Sequence, residues 1–502
     1  MPNIPIPHFY NQSFALLTDF YQLTMAYGYW KTEMRQKEAV FHLFFRRAPF
    51  HGGFTIAAGL ECVINFLEKF SFDPSDLNYL AQLRDVEDQP YFSNEFLDYL
   101  ATLRFSGQID AVAEGSVVFP YEPLLRIQAP LIECQLLESP LLNLINFSSL
   151  IATKASRMCL AAQGDPILEF GLRRAQGVDG ALTASRAAYI GGCDSTSNVL
   201  AGKLFGIPVK GTHSHSWVMA FDEELEAFMA YAKALPSNCV FLVDTYDTLQ
   251  GVKKAIKAGY WLQKQGKKLL GIRLDSGDLA DLSIKSRRLL DEAGFTDAKI
   301  FASNELDEII ISELKRQGAF ISVWGVGTNL VTGKDYPALD GVYKLSAIRD
   351  PGEEWVYKLK LSEQMVKVSN PGILQVKRFY AEGENVADVI YDIHWPPQEG
   401  AKIIDPFDPT QVRTLKKGLQ SRDLLVPIFR DGNRVYDPPS LQEIRDYRQQ
   451  ELSYFPIGIK RFLNPHLYVV GMEESLYAAK IKLIRKVRGI VTNTTVPLQE
   501  LT

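Results

Sequence analysis

Between about residue 160 and residue 330 short apolar runs alternate with longer amphipathic stretches, and polar residues mark the junctions. "VFLVDTYDT" (240–248) leads into "LQGVKKAIKAGYWLQKQG", and "KLLGIRLDSGDL" (268–279) into "ADLSIKSRRLLDEAG". "KIFASNEL" (299–306) then precedes "DEIIISELKRQG", and "AFISVWGVGTNLV" (319–331) closes the series. Runs that are apolar on both faces, separated by helices, predict a parallel sheet covered on both sides. The repeat of roughly 25–30 residues is the size of a βα unit. Further strands expected at 167–170, 188–192 and 207–211 bring the count to about seven. An α/β fold with a (β/α) barrel, complete or incomplete, is therefore preferred over its alternative, an open sheet.

The flanks have another character. Asp19 to Trp30 reads as a helix with Thr18 or Asp19 as N-cap. "AVFHLFFRRAPF" (39–50) reads as a strand ending in two arginines, punctuated by Gly52 and Gly53. The segment 116–137 is rich in β-branched residues and proline, as short strands with tight connections are. After about 340 come strand-like pieces, "GVYKLSAIR" and "WVYKLKLS", a loop-rich segment from 370 to 440, and charged helices at 439–453 and 472–486. The chain thus divides into 1–125, a barrel over 126–345, and 346–502, the last being either a third region or a completion of the first domain.

Composition narrows the class. A chain of 502 residues exceeds one ordinary core and suggests two or three domains. Its 46% hydrophobic and 23% charged residues are those of a soluble globular protein. A net charge of −5 argues against a nucleic-acid partner. No segment approaches the roughly 20 apolar residues of a membrane helix. "MPNIPIPHFYNQ" lacks the basic and apolar regions of a secretory signal. Five scattered cysteines without a C-x-x-C pair fit reduced thiols in a cytoplasmic protein.

In a parallel barrel the chemistry sits at the C-terminal strand ends. Those ends offer Glu169, Arg173 and Arg174; Asp194, Ser195 and Thr196; Thr212, His213 and His215; Asp244 and Thr245; Arg273, Asp275, Ser276 and Asp278; Ser303 and Asn304; and Gly325, Gly327 and Thr328. In "RLDSGD", Arg273 can fork onto a carboxylate or phosphate. Asp275 or Asp278 can hold Mg²⁺ or sugar hydroxyls, and Ser276 or Asp278 can cap the next helix. Gly327 and Thr328 offer a phosphate loop or a tight turn. Anion-binding groups on an acidic chain favour a small phosphorylated substrate over a polyanion. No Walker A loop is present.

"GTHSHSW" (211–217) holds two of the seven histidines. An H-x-H pair on one face of a strand end suits a binuclear metal site, but none of the later barrel strands carries a histidine, which weakens that reading. An acid/base or nucleophilic imidazole beside a carboxylate survives.

Together, "LLTDFYQLTM" (16–25), "FFRRAPF" (44–50), "GLRRAQG" (171–177), "YIGGCDSTSNVLAGKLFGIPVKGTHSHS" (189–216), "RLDSGDL" and "GVGT" resemble the nicotinate phosphoribosyltransferase family. "LLVPIFRDGNRVYDPPSLQEIR" and "NPHLYVVG" extend the resemblance to nearly the whole chain. The resemblance implies an irregular, incomplete (β/α) barrel packed on an α/β sandwich domain built mainly from the N-terminal part, with a C-terminal extension. It implies a homodimer, beside the cytoplasmic location and the absence of nucleic-acid and membrane partners expected from cysteine usage, charge and hydropathy. The reaction implied joins nicotinate to phosphoribosyl pyrophosphate, with Mg²⁺ and with ATP as co-substrate, as a step of NAD biosynthesis. Tyr21, Thr212 and Arg273 would contact nicotinate. Thr328, Gly327, Ser276, Gly277 and Arg173 would serve the phosphoribosyl and phosphate groups. His215 would be phosphorylated, with Asp275 as its catalytic partner, and Asp275 and Asp278 are the candidate Mg²⁺ ligands. Many relatives carry an apolar or small residue where this chain has His213. The competing readings are a sister enzyme acting on nicotinamide or quinolinate and a regulatory barrel that only binds a phosphorylated metabolite.

Overall fold

The computed structural model describes residues 14–364 and 367–490. The N-terminal stretch read for a secretory signal lies outside the described residues.

Six parallel strands form the central sheet, in the order Ser195–Thr196, Ile167–Glu169, Val323–Val326, Lys299–Ala302, Gly271–Leu274 and Val240–Leu242. Three of the following helices begin at an aspartate whose carboxylate accepts from first-turn amides: Asp247 before Thr248–Lys264, Asp278 before Leu279–Glu292, and Asp307 before Glu308–Arg316. The segment 208–210 adds a partial seventh strand. Thr196 N donates to Pro208 O at 3.0 Å, and Lys210 N to Thr196 O at 3.0 Å. Among the described residues no strand pairing joins this segment to Val240–Leu242, so the barrel is incomplete, as expected.

Two strand expectations fail. The apolar run at 188–192 is the buried end of the helix Gly177–Ile190 and the turn after it, and the strand comes later, at Ser195–Thr196. Residues 131–136 form a helix, Leu131–Leu136, which continues from the strand Leu125–Pro130.

Gly271 shows how closely the sheet packs: a Cβ built there would stand 2.2 Å from the Lys299 carbonyl oxygen. Backbone cannot give way as a side-chain tip can. Gly271→Ala is expected to cost about 2–3 kcal/mol, measurable as a lower urea midpoint.

An antiparallel seven-stranded sheet draws on three separate parts of the chain. Its order is Val356–Tyr357, Gly341–Arg349, Glu38–Phe45, Leu125–Pro130, Gln108–Val112, Leu425–Arg430 and Asn433–Arg434. A second sheet of six strands includes Leu374–Ala381, Glu384–Asp392 and Val470–Glu473. The region 370–440, expected to be rich in loops, is thus about half strand. Leu374, Val376, Ile390 and Met472 of this sheet share one apolar core with Phe41, Leu43, Ile109 and Ile127 of the first, which makes a sandwich. The helix Glu138–Ala162 runs from one core to the other: Leu141, Ile145 and Leu150 pack in the sandwich, and Ile151, Ala155 and Met158 in the barrel. Among the described residues no helix is long and apolar enough to cross a membrane.

Candidate active site

Alternation along the barrel strands decides which side chains face the bore. Ile167, Phe241, Val243, Ile272, Leu274, Ile300 and Ala302 join the apolar core beneath the helices. With period two, their neighbours Leu168, Phe170, Leu242, Asp244, Arg273, Asp275 and Ser303 point inward. At the C-terminal ends this places polar groups around a cavity of about 290 Å³, whose wall includes Phe170, Arg173, Thr212, His213, His215, Arg273 and Asp275.

Arg273 is the hub. Its Nε donates to Ser303 Oγ at 2.7 Å, Nη1 to Thr212 Oγ1 at 2.9 Å, and Nη2 to Asp275 Oδ1 at 2.9 Å. A guanidinium carries five N–H groups, so two remain for a ligand. Its Cζ also lies over the Phe170 ring, 5.7 Å from the centroid. Burial pushes the Asp275 carboxyl up. Hydrogen bonds from Ser303 and Arg273, with the charges of Arg273 and His215, outweigh it and leave the group below the usual carboxylate range. The free oxygen of Asp275, Oδ2, faces His215 Nε2 at 3.6 Å, while His215 Nδ1 lies 3.2 Å from Thr245 Oγ1. Asp244 braces the far side: Oδ2 accepts from Asp275 N at 2.9 Å and from Ser276 Oγ at 2.6 Å, and Oδ1 is buried without a hydrogen-bond partner.

The two histidines do not share a face. Residues 211–214 are loop, and a short helix, His215–Met219, begins at the second histidine. His215 opens to the cavity with 40% of its side chain exposed, whereas His213 is buried. The strand-end expectation fails because the chain leaves the sheet before it reaches either ring.

Of the other candidates, Arg173 lies in the turn Leu172–Arg174 and lines the cavity. Gly327 and Thr328 start the helix Thr328–Val331, and a Cβ on Gly327 would stand 3.2 Å from the Phe170 carbonyl, beside that same turn. Ser276 is bound to Asp244, Gly277 turns the chain at φ 78°, and Asp278 caps its helix. Tyr21 sits on the sandwich helix Phe20–Trp30 and is absent from the cavity wall formed within one chain. Glu169 points away from the bore; its oxygens accept from Gly171 N, Ser185 Oγ and Thr196 Oγ1, and so shape the Arg173 turn. Asp194 precedes its strand and binds Arg445 at 2.9 Å, far from a strand's C-terminal end. Phe170 was not singled out by its residue type; the period-two alternation after Ile167 is the signal that finds it.

Among the described residues no three His, Cys, Asp or Glu side chains gather to hold a metal ion by themselves. The donors present suit an ion that arrives on a phosphorylated substrate and takes one or two protein carboxylates, as Mg²⁺ does. The unpaired Oδ1 of Asp244 is such a donor.

Comparisons with known proteins show the family. Residues 16–146 match the N-terminal domain, and 374–480 the C-terminal domain, of the nicotinate phosphoribosyltransferase family. Nicotinate phosphoribosyltransferase of Bacillus subtilis is 44% identical over 490 residues, covering 96% of this chain and 97% of that one. The crystal structure of human nicotinic acid phosphoribosyltransferase superposes with a TM-score of 0.81 at 32% identity, covering 93% of this chain and 99% of the human one. A nicotinate-nucleotide pyrophosphorylase from Pyrococcus furiosus shares the fold, with a TM-score of 0.69 at 21% identity over 90% of this chain and 99% of its own. With the polar bore built around Arg273 and near-complete coverage by such relatives, the chain belongs to the nicotinate phosphoribosyltransferase family.

Proposed function

We propose that the protein joins nicotinate to 5-phosphoribosyl 1-pyrophosphate, giving nicotinate mononucleotide and pyrophosphate, with hydrolysis of ATP through a transient phosphohistidine on His215. The observation that carries this reading is the Arg273 hub, which sets a carboxylate-binding fork and the His215–Asp275 pair on one cavity. The nicotinate carboxylate takes the two remaining N–H groups of Arg273, and Phe170 offers the ring a stacking face. The pyridine nitrogen attacks the anomeric carbon as the bond to pyrophosphate breaks. The ring nitrogen is already a nucleophile, so the protein orients reactants and stabilises charge rather than supplying a strong base. Arg173 and the amides at Gly327 and Thr328 face the phosphate groups. When bound, Mg²⁺ neutralises the pyrophosphate oxygens, and Asp244 and Asp275 are the carboxylates that would hold it.

For the coupled step, Thr245 accepts from Nδ1–H of His215 and leaves the Nε2 lone pair for the γ-phosphorus of ATP. The P–O bond to the β-phosphate breaks and ADP departs; water later cleaves the phosphohistidine to phosphate. Tyr21 fits this scheme if a second copy brings its sandwich domain to the cavity, as a homodimer would. A cytoplasmic site of action suits the metabolite substrates.

Purified protein given nicotinate, phosphoribosyl pyrophosphate, Mg²⁺ and ATP is expected to form nicotinate mononucleotide and ADP. Nicotinamide and quinolinate, supplied in parallel, are expected to give at least about a hundredfold less product. Equal use of nicotinamide, or donor binding without turnover, would overturn the assignment.

A further inference from the structure

His213 has no part in the chemistry above, yet it is placed with care. The residue is 7% exposed. It packs against Phe228, Tyr231 and Phe241 at centroid distances of 6.0, 5.0 and 6.3 Å. It also stands where, among the described residues, the barrel sheet fails to close, between the 208–210 segment and Val240–Leu242. Across that opening the Leu242 amide donates to His213 Nε2 at 3.2 Å. The other nitrogen, Nδ1, lies 3.3 Å from the carbonyl oxygen of Ser214. A nitrogen that accepts carries no proton, so the neutral ring holds its hydrogen on Nδ1, where the carbonyl receives it. Burial lowers the imidazole pKa to about 4; the Ser214 carbonyl opposes this, and the charges of Arg273 and His215 add to it. The acceptor lone pair therefore persists at neutral pH.

We propose that His213 is a positioning residue that latches the open seam of the barrel, its Nε2 standing in for the missing ladder acceptor opposite Leu242. The latch joins two pieces of the site. On one side, Thr212 receives Arg273 and His215 begins its short helix. On the other, Leu242 leads within three residues to Asp244, which holds Asp275 and Ser276, and to Thr245, which meets His215. Without the acceptor, a buried amide loses its partner and the two edges are free to part. The His215 ring then no longer stands at a fixed distance from Thr245 and Asp275. The kinetic part of this inference rests on phosphorylation of His215; the bonding part does not.

Two substitutions separate the acceptor from the packing. His213→Phe keeps a ring among the aromatics and removes the acceptor, whereas the amide oxygen of His213→Gln reaches toward the position of Nε2. Both are examined as full-length protein, with rates normalised to the folded fraction. His213→Phe is expected to take up ³²P from γ-labelled ATP about ten- to a hundredfold more slowly, to the wild-type final level. His213→Gln is expected to recover most of that rate. In wild-type protein labelled with ¹⁵N-histidine, the His213 signal is expected to show a bare Nε2 and a protonated Nδ1 from about pH 5 to about pH 8. A wild-type labelling rate in His213→Phe, equal slowing in both variants, or a proton on Nε2 would each overturn the latch. If wild-type protein takes up no label, the phosphohistidine reading fails instead, and the tautomer measurement still decides the latch.

Discussion

Replacement of His215 by alanine is expected to abolish acid-labile ³²P incorporation from γ-labelled ATP, a loss of at least about a thousandfold. His213→Ala should still reach the wild-type level of label, only more slowly. The two histidines are two residues apart, so the contrast depends on structure rather than on proximity to the site. His215 turns its ring into the cavity between Thr245 and Asp275. His213 Nε2 is already occupied by the Leu242 amide, and its ring packs against Phe228, Tyr231 and Phe241. Loss of the nucleophile should also remove the dependence of product formation on ATP, while slow, uncoupled synthesis of nicotinate mononucleotide persists. Label retained in His215→Ala, or lost only in His213→Ala, would sink the assignment.

The parts of this fold that were legible in the sequence are those in which several signals coincide. At 240–248, 268–279 and 299–307 an apolar run ends in polar residues and an aspartate that caps the next helix, so strand, turn and helix start support one another. At 188–192, where only an apolar run was present, the reading failed. "AAYIGG" has the length and composition of a strand but is the buried end of a helix, because a short run apolar on all sides fits either structure. That error carried forward: it set Asp194 at a strand's C-terminal end, where it would face substrate, whereas the residue precedes its strand and anchors Arg445. Two strands between 370 and 440 were hidden for the opposite reason. Val412–Thr414 and Gln420–Asp423 lie at sheet edges with mostly exposed side chains, so little alternation marks them.

The site was legible as a set of residues but not as a set of roles. Thr212, His215, Arg273 and Asp275 do meet on one cavity. The sequence had no means to show that Glu169, at a barrel strand end, faces outward and spends its oxygens on a turn. Nor could it show that His213 bridges an opening in the sheet, since that needs the position of a strand 29 residues away. Tyr21 is not joined to the cavity within one chain, because its helix belongs to the sandwich and the cavity to the barrel.

Arg273→Lys gives the sharpest test of substrate choice. The guanidinium does two jobs at once: three N–H groups tie Ser303, Thr212 and Asp275 together, and two remain for the ligand. A lysine ammonium keeps the charge but has three donors on one atom, so it cannot span those partners and also grip a carboxylate with two parallel bonds. The expected loss in kcat/KM for nicotinate is about a hundredfold, near 3 kcal/mol. Nicotinamide carries a neutral amide that gains little from the fork, so its already low kcat/KM should fall only by the share owed to the loosened Ser303, Thr212 and Asp275 contacts, about tenfold at most. The measurement is therefore the ratio of the two, which should collapse while the protein keeps its melting temperature within a few degrees. If both pyridines lose activity by the same factor, Arg273 serves only to hold Asp275 against His215, and recognition of the carboxylate must lie with another residue.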